Sequence, residues 1–316
     1  MTDFLALLDF SLGVTGPIFV LLGLGVVLRR IGVITDGFID GGSRLVFAIG
    51  LPTMLFVSIA RTPIADSAGI GMLVYGVAAT VAIWLLMEWL ASVLVQPARD
   101  RGVVVQGAFR SNFGVVGLAY CANAYGEAGL AMAALYVGVL TILVNILAVI
   151  TLSRSLHRSQ GAGRVLRGIA TNPLIIGILL ALPVSAFAIP LPAVAMKSAG
   201  YIADMTLPLA LLCTGATLDF RSLRAEAGNA ALASFGKLVA MPLLFTLGAW
   251  AAGFRAMELG VLMLMASAPS AAASYSMVRA MGGNATLAAN IIALTTLGSL
   301  LTTSAGVSLL RGFGLM

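Results

Sequence analysis

Apolar residues run along this chain in long stretches, each closed by a short polar or basic connection. With soft boundaries they fall at about 10–28, 40–60, 67–95, 103–124, 128–152, 172–189, 198–217, 229–252, 260–280 and 286–309. A helix needs roughly 20 mostly apolar residues to cross a ~30 Å hydrocarbon core. Only helices and closed barrels satisfy their backbone hydrogen bonds there. The stretches are too long for the ~10-residue alternating strands of a barrel, so the pattern predicts ten transmembrane helices. The leader MTDFLALLDF carries Asp3 and Asp9 where a secretory signal has a basic region, and no small-residue cleavage site follows cleanly. The first stretch is therefore expected to remain as a helix and not to be cleaved.

Composition agrees with this pattern. Of 316 residues, 60% are hydrophobic and 9% charged, with mean hydropathy +1.07. A soluble domain carries about 25% charged residues. The expected setting is a lipid bilayer, as a multi-pass protein of the plasma (inner) membrane. Basic residues then set the orientation. One set of alternate connections holds Arg29, Arg30, Arg99, Arg101, Arg154, Arg158, Arg164, Arg167, Arg221 and Arg224; the other holds Arg61, Lys197, Arg255 and Arg311. Ten against four places the loop 153–170 in the cytoplasm and both termini outside. These scattered border charges also account for most of the net charge of +6, and no nucleic-acid partner is expected. Cys121 and Cys213 lie in different stretches, so neither a disulfide framework nor a redox pair is visible. The sole histidine, His157, falls in the basic loop, where solvation is the plain reading. No His/Cys cluster suggests a metal site, and no cofactor is implied.

Spacing adds an internal repeat. Thr15-Gly16-Pro17 is echoed by Thr171-Asn172-Pro173, Leu51-Pro52 by Leu207-Pro208, Ser111 by Ser267 and Gly126 by Gly282, all at an offset of 156. The fold class read from the sequence is all-α integral membrane: two five-helix repeats, 1–156 and 157–316. Five is odd, so the second repeat starts on the opposite side and the halves are inverted. Inverted repeats with matching interrupted helices are the sequence sign of a secondary transporter, and the interruptions point to its binding site.

The interrupted stretches in register are FRSNFGVVGLAY in the fourth span and ASAPSAAASYS in the ninth. A broken helix frees backbone groups that hydrocarbon cannot satisfy, so such breaks persist where they line a cavity. There the helix N-terminus offers donors and positive dipole to an anion. Asn112 adds a side-chain donor and acceptor, and Gly114 and Gly117 permit close approach. The plain alternative for the glycines is helix packing.

RSNFGVVGLAY followed by AYGEAG, SAPSAAASYSMVRAMGGN followed by NIIALTT, LPTMLF in the second span and TNPLIIG opening the sixth cover essentially the whole chain. In their order and spacing the chain resembles the auxin efflux carrier family, whose bacterial branch includes malonate- and malate-type transporters. The resemblance implies a dimer in which the first, second, sixth and seventh helices form a scaffold. The third to fifth and eighth to tenth then form a mobile transport domain. It also implies that the fourth and ninth helices break and cross, with an organic anion beside the crossing. Carried over by position, the crossing asparagine is Asn112 and the ninth-helix break is around Pro269 and Ser270; the residues themselves add Ser111, Gly114 and Ser274 as candidate substrate contacts. One departure stands out: the fourth-helix proline usual in this family is Ala119 here, which leaves the severity of that break open.

Other polar residues lie within the spans. Glu88 and Lys237 sit at similar depth, roughly 12 Å in at 1.5 Å per residue. They are expected to neutralise each other as a buried pair; the alternatives are a substrate contact for Lys237 and a coupling proton on Glu88. Arg110 is within two turns of the cytoplasmic end and can snorkel, as can Arg44 and Arg279. Asp204 is satisfied by freed backbone donors or by outer solvent. Thr141 and Asn145, one turn apart, point at the crossing or join helices.

The function expected is secondary transport of a small mono- or dicarboxylate by an elevator-type movement. No GxxxxGK[ST] is present for ATP. The alternatives are a sodium- or proton-coupled carrier of larger, bile-acid-like amphipathic anions, a receptor, and an intramembrane enzyme. The last would need paired acids or an activated nucleophile, and no catalytic residue is assigned.

Overall fold

The computed structural model describes residues 2–61, 70–156, 171, 173–187, 189–218 and 226–316. Asn172 and the basic residues Arg158, Arg164, Arg167, Arg221 and Arg224, with His157, lie outside the described residues. The described chain is all helix, with a single isolated bridge and no strand. In chain order the helices are α1 Thr2–Arg30, α2 Asp36–Arg61, α3 Ile70–Leu94, α4 Arg101–Phe109, α5 Phe113–Leu156 and α6 Pro173–Ala186. They continue as α7 Ala193–Ala216, α8 Ala227–Ala251, α9 Ala256–Ser267, α10 Ala273–Ala280 and α11 Ala285–Gly312.

Among the described residues, seven helices are long and apolar enough to cross a membrane. The difference from ten has physical reasons. The predicted spans 103–124 and 260–280 are interrupted, as α4 with the start of α5 and as α9 with α10. The predicted 128–152 is the second of two helices that meet at a kink within α5, and the sixth span is the short helix α6. Within α5 the helix bends at Gly126 (φ 62°, ψ −146°), a conformation essentially confined to glycine. Gly282, between α10 and α11, also has positive φ (77°). These two glycines are the pair that the 156-residue offset matched.

Large apolar side chains face outward along the helices, among them Val20, Ile70, Trp89 and Leu301. In water such a surface would be costly; in lipid it is the ordinary solvent-facing surface. Local chemistry shapes the turns. α1 ends in Arg29 and Arg30 and leads through Gly32 (φ 79°) to Thr35, which caps α2 by accepting from the Phe38 N–H. Arg29 pairs with Asp36 across that turn at 2.7 Å.

Packing divides the helices into two groups. α1 lies on α7, and α2 on α6 and α7. α1 and α7 meet at their backbones: a Cβ on Gly25 would strike Leu212 O, and one on Gly215 would strike Leu22 O. The other group comprises α3, α4, α5, α8, α9, α10 and α11; across the boundary α5 touches α1, α2, α6 and α7, and α11 touches α1. Two cavities lie where the groups face each other.

Candidate anion site at two helix breaks

α9 stops for a local reason. Pro269 disfavours helix at the residue before it, and Ala268 adopts φ −57°, ψ 139°. α4 stops without any proline: Arg110 has φ −87°, ψ 94° and Asn112 has φ −77°, ψ 64°. Ala119 lies inside α5, well past this point. What holds α4 open is the other break. Asn112 N–H donates to Pro269 O at 2.7 Å, and Ala271 N–H donates to Arg110 O at 3.0 Å, forming an antiparallel bridge between Ser111 and Ser270.

The groups freed by the breaks find partners. Gly107 O accepts from the Ser270 hydroxyl, Asn112 O from Gly117 N–H, Ser267 O from Thr303, and Ala266 O from Lys237. Ser270 N–H donates to Thr295 Oγ1 at 3.1 Å. A pair of mid-membrane breaks is thus stable because each supplies what the other lacks.

Beside the bridge is a cavity of about 140 Å³. One wall is Arg110, Ser111, Asn112 and Gly114, continued by Thr141 and Asn145 of α5 and by Ala271 to Ala273. The facing wall is Ser43 of α2 with Cys213, Thr214 and Thr217 at the end of α7. Arg110 is buried (6% exposed). Its guanidinium donates to Asn145 Oδ1 at 2.7 Å and lies 3.8 Å from Met277 Sδ. Asn145 Nδ2 in turn donates to Thr141 O at 2.8 Å. Among the described residues no carboxylate pairs with Arg110, and none lines the cavity. The Asn112 side chain faces this space with no protein partner among the described residues. The chemistry on offer is a guanidinium, an amide and hydroxyls in one cleft: donors awaiting an acceptor.

The structure thus gathers Ser111, Asn112, Gly114, Thr141 and Asn145 on one wall. Pro269 and Ser270 stand behind it, contributing backbone bonds. Ser274 is buried in the first turn of α10, its hydroxyl without a partner among the described residues and off the cavity wall. Arg110 is the residue that sequence reasoning set aside. Depth counted from the helix end allowed it to snorkel, but the break turns its side chain inward onto Asn145. The α2 and α7 residues of the facing wall carry no sequence signal of their own.

The expected pairing of Glu88 with Lys237 does not occur; no ion pair joins them. Glu88 accepts from the Thr151 hydroxyl, which also accepts from Trp84 Nε1 at 2.8 Å. Lys237, fully buried, donates to Ser111 Oγ at 2.5 Å, to Ala266 O at 2.6 Å and to Met241 Sδ at 3.1 Å. The reason is directional: Lys237 faces the break, where helix-end carbonyls attract a cation, and Glu88 has a neighbouring hydroxyl. Arg44, Arg279 and Asp204 are exposed, as solvent-seeking residues would be.

A second cavity, of about 350 Å³, opens between α1, α2, α5 and α7. It is lined by Arg61, Asn123, Glu127 and Asp204 among apolar residues that include Ala119. Arg61 and Glu127 pair at 3.6 Å on its rim, and Asn123 Nδ2 donates to Val14 O, tying α5 to α1.

Residues 15–305 match the family model described as "Membrane transport protein". A protein of Methanothermobacter thermautotrophicus described as an "uncharacterized transporter" is 28% identical over 260 residues, which is 80% of this chain and 83% of the relative.

Proposed function

This chain belongs to the membrane transport protein family, the auxin efflux carrier family that its motifs resemble, and on that premise we propose that it is a secondary carrier of a small carboxylate. The observation that carries the reading is Arg110: a buried guanidinium beside a cavity, with no carboxylate to neutralise it among the described residues. A buried charge without a counter-ion is costly, and an organic anion in the cavity would supply the missing one. Size favours a small anion. About 140 Å³ is roughly five water volumes at ~30 Å³ each, enough for a two- to four-carbon acid and below the ~300 Å³ of sites for drug-sized ligands. A larger amphipathic anion would have to use the outer cavity, where Glu127 and Asp204 face a single arginine.

The movement proposed is an elevator. The cavity has one wall on the group α1, α2, α6 and α7 and the other on the remaining helices, so displacing one group along the other would carry the anion across. The inverted repeat supports this reading: the breaks recur in both halves, and Gly126 and Gly282, 156 positions apart, both take positive φ. We place the carrier in the plasma membrane as a homodimer, with Asn112 and Arg110 on the anion. Scaffold and transport domain would correspond to the two packing groups.

The test is uptake of radiolabelled acetate, lactate, malonate and succinate into proteoliposomes, with and without ion gradients. At least one acid should accumulate, and Arg110→Ala should weaken its binding tenfold to a hundredfold, as loss of a ~1.5–3 kcal/mol charged hydrogen bond does. Arg110→Ala binding the acid as well as the wild type would remove the basis of the reading.

A further inference from the structure

Lys237 lies in the widened turn Gly236–Ala240 of α8 and is not part of the cavity wall. Three acceptors converge on its Nζ: Ser111 Oγ, Ala266 O and Met241 Sδ. An ammonium has three donors and no lone pair. A neutral amine would turn its lone pair toward one of these acceptors, so the set fits the charged form. Ala266 O adds to that fit, because it belongs to the last turn of α9, the negative end of that helix.

The consequence falls on Ser111. Since the ammonium only donates, Ser111 Oγ must accept from it, and the serine's own hydrogen has to point elsewhere. The protein acceptor within reach is the Met241 thioether at 3.9 Å, a weak one. Ser111 also stands on the cavity wall between Arg110 and Asn112.

We propose that Lys237 is a positioning residue of the anion site: it holds Ser111 Oγ as an acceptor, and so commits the Ser111 hydroxyl to donate to a carboxylate oxygen in the cavity. This rests on the carrier reading above and deepens it. The site then discriminates by hydrogen-bond sense. A carboxylate oxygen accepts only, whereas the N–H₂ of an isosteric amide would meet the Ser111 hydrogen donor against donor. Lys237 touches no substrate itself.

The experiment compares binding of acetate, malonate and succinate with that of acetamide, malonamate and succinamate, in detergent, for wild type, Lys237→Met, Lys237→Gln and Ser111→Ala. The wild type should prefer acid over amide. Lys237→Met and Ser111→Ala should each shrink the preference roughly tenfold or more, in line with a lost hydrogen bond to a charged group. Lys237→Gln, which retains a donor, should keep more of the preference than Lys237→Met. Combining Lys237→Met with Ser111→Ala should add little to either change, because the two act in series. A general packing defect would weaken acid and amide alike and leave their ratio unchanged; that outcome overturns the proposal. If Lys237→Met does not fold, an unchanged ratio in Ser111→Ala overturns it equally. Failure of the wild type to bind any of the acids would instead sink the carrier reading, and this inference with it.

Discussion

Arg110 is held with no carboxylate partner among the described residues, and that distinction makes its neighbour informative. Asn145 accepts from the guanidinium and is itself fixed by Thr141 O, so the arginine is oriented while its charge stays available. Asn145→Ala should loosen Arg110 and weaken acid binding about tenfold, one hydrogen bond's worth. Asn145→Asp should do more harm to binding while preserving thermal stability, because it gives the guanidinium a resident counter-ion that excludes the anion. Affinity and melting temperature of both variants test this; an aspartate variant that binds as tightly as wild type would show that Arg110 does not meet the substrate.

Asp100 offers a separate test, outside the spans. It is almost completely buried between α3 and α4. Burial pushes its carboxyl above the usual range; the Asn284 amide at 3.4 Å pulls it back, Glu226 adds to the rise, and Arg99 opposes it. The folded state therefore holds this proton more tightly than the unfolded chain. Stability from this group is present below the ordinary carboxylate value and is lost as pH rises through the raised folded value. Asp100→Asn should accordingly gain on the wild type in melting temperature as pH is raised from 4 to 7. A difference independent of pH would mean that Asp100 ionises alike in both states.

Among the elements, the bend in α5 rests on one backbone conformation. At φ 62°, ψ −146°, Gly126 has open space where a Cβ would go, so the objection to any other residue is backbone strain alone. Gly126→Ala should cost on the order of 1–3 kcal/mol. Gly228→Ala, in the first turn of α8 and equally free of neighbours, should be neutral or stabilising by about 0.5–1 kcal/mol. Comparing thermal unfolding of the two variants separates conformation from volume; equal melting temperatures would indicate that the chain reverses at position 126 without needing glycine. The two breaks make a complementary point. That in α9 is written locally, in Ala268-Pro269. That in α4 is written in its partner, through the Pro269 carbonyl and the Ala271 N–H.

For the whole molecule, the two helix groups differ in how they are joined. Backbone contact at Gly25 and Gly215, and at Gly177 against Pro52 O, locks α1 to α7 and α2 to α6, and no side chain could be inserted there without displacing main chain. Between the groups the bonds run from side chains, as from Asn123 Nδ2 to Val14 O and from Ser11 Oγ to Ser304 O. The elevator proposed above needs a fixed topology, and the ten-to-four basic asymmetry predicts one: both termini outside, the 154–168 loop in the cytoplasm. A cysteine at Met316 should therefore react with an impermeant maleimide from outside, and one at Ser159 only from the cytoplasm. Labelling of the Met316→Cys protein from the cytoplasm alone would reverse the orientation and undo the inverted-repeat argument.

The solvent of this protein and its helical class follow from sequence alone, because a chain with 9% charge can fold only where lipid covers it. Position also determined three of the interruptions: glycine and proline fall at 126, 269 and 282 because backbone chemistry acts locally, whereas the stop before Asn112 is held by the α9 break. Charge partners did not follow from position. Glu88 and Lys237 share a depth, but direction around a helix axis, set by packing, sends one to Thr151 and the other to Ser111 and Ala266. Depth likewise mislaid Arg110, since a helix that stops at Phe109 aims its next residue into a cavity, away from the membrane border. The facing wall of that cavity comes from α2 and α7, more than sixty residues from the α4 break in either direction, where Ser43 and Thr214 look like any hydroxyl in a membrane helix. A binding site assembled from two walls becomes visible only when tertiary packing brings them face to face.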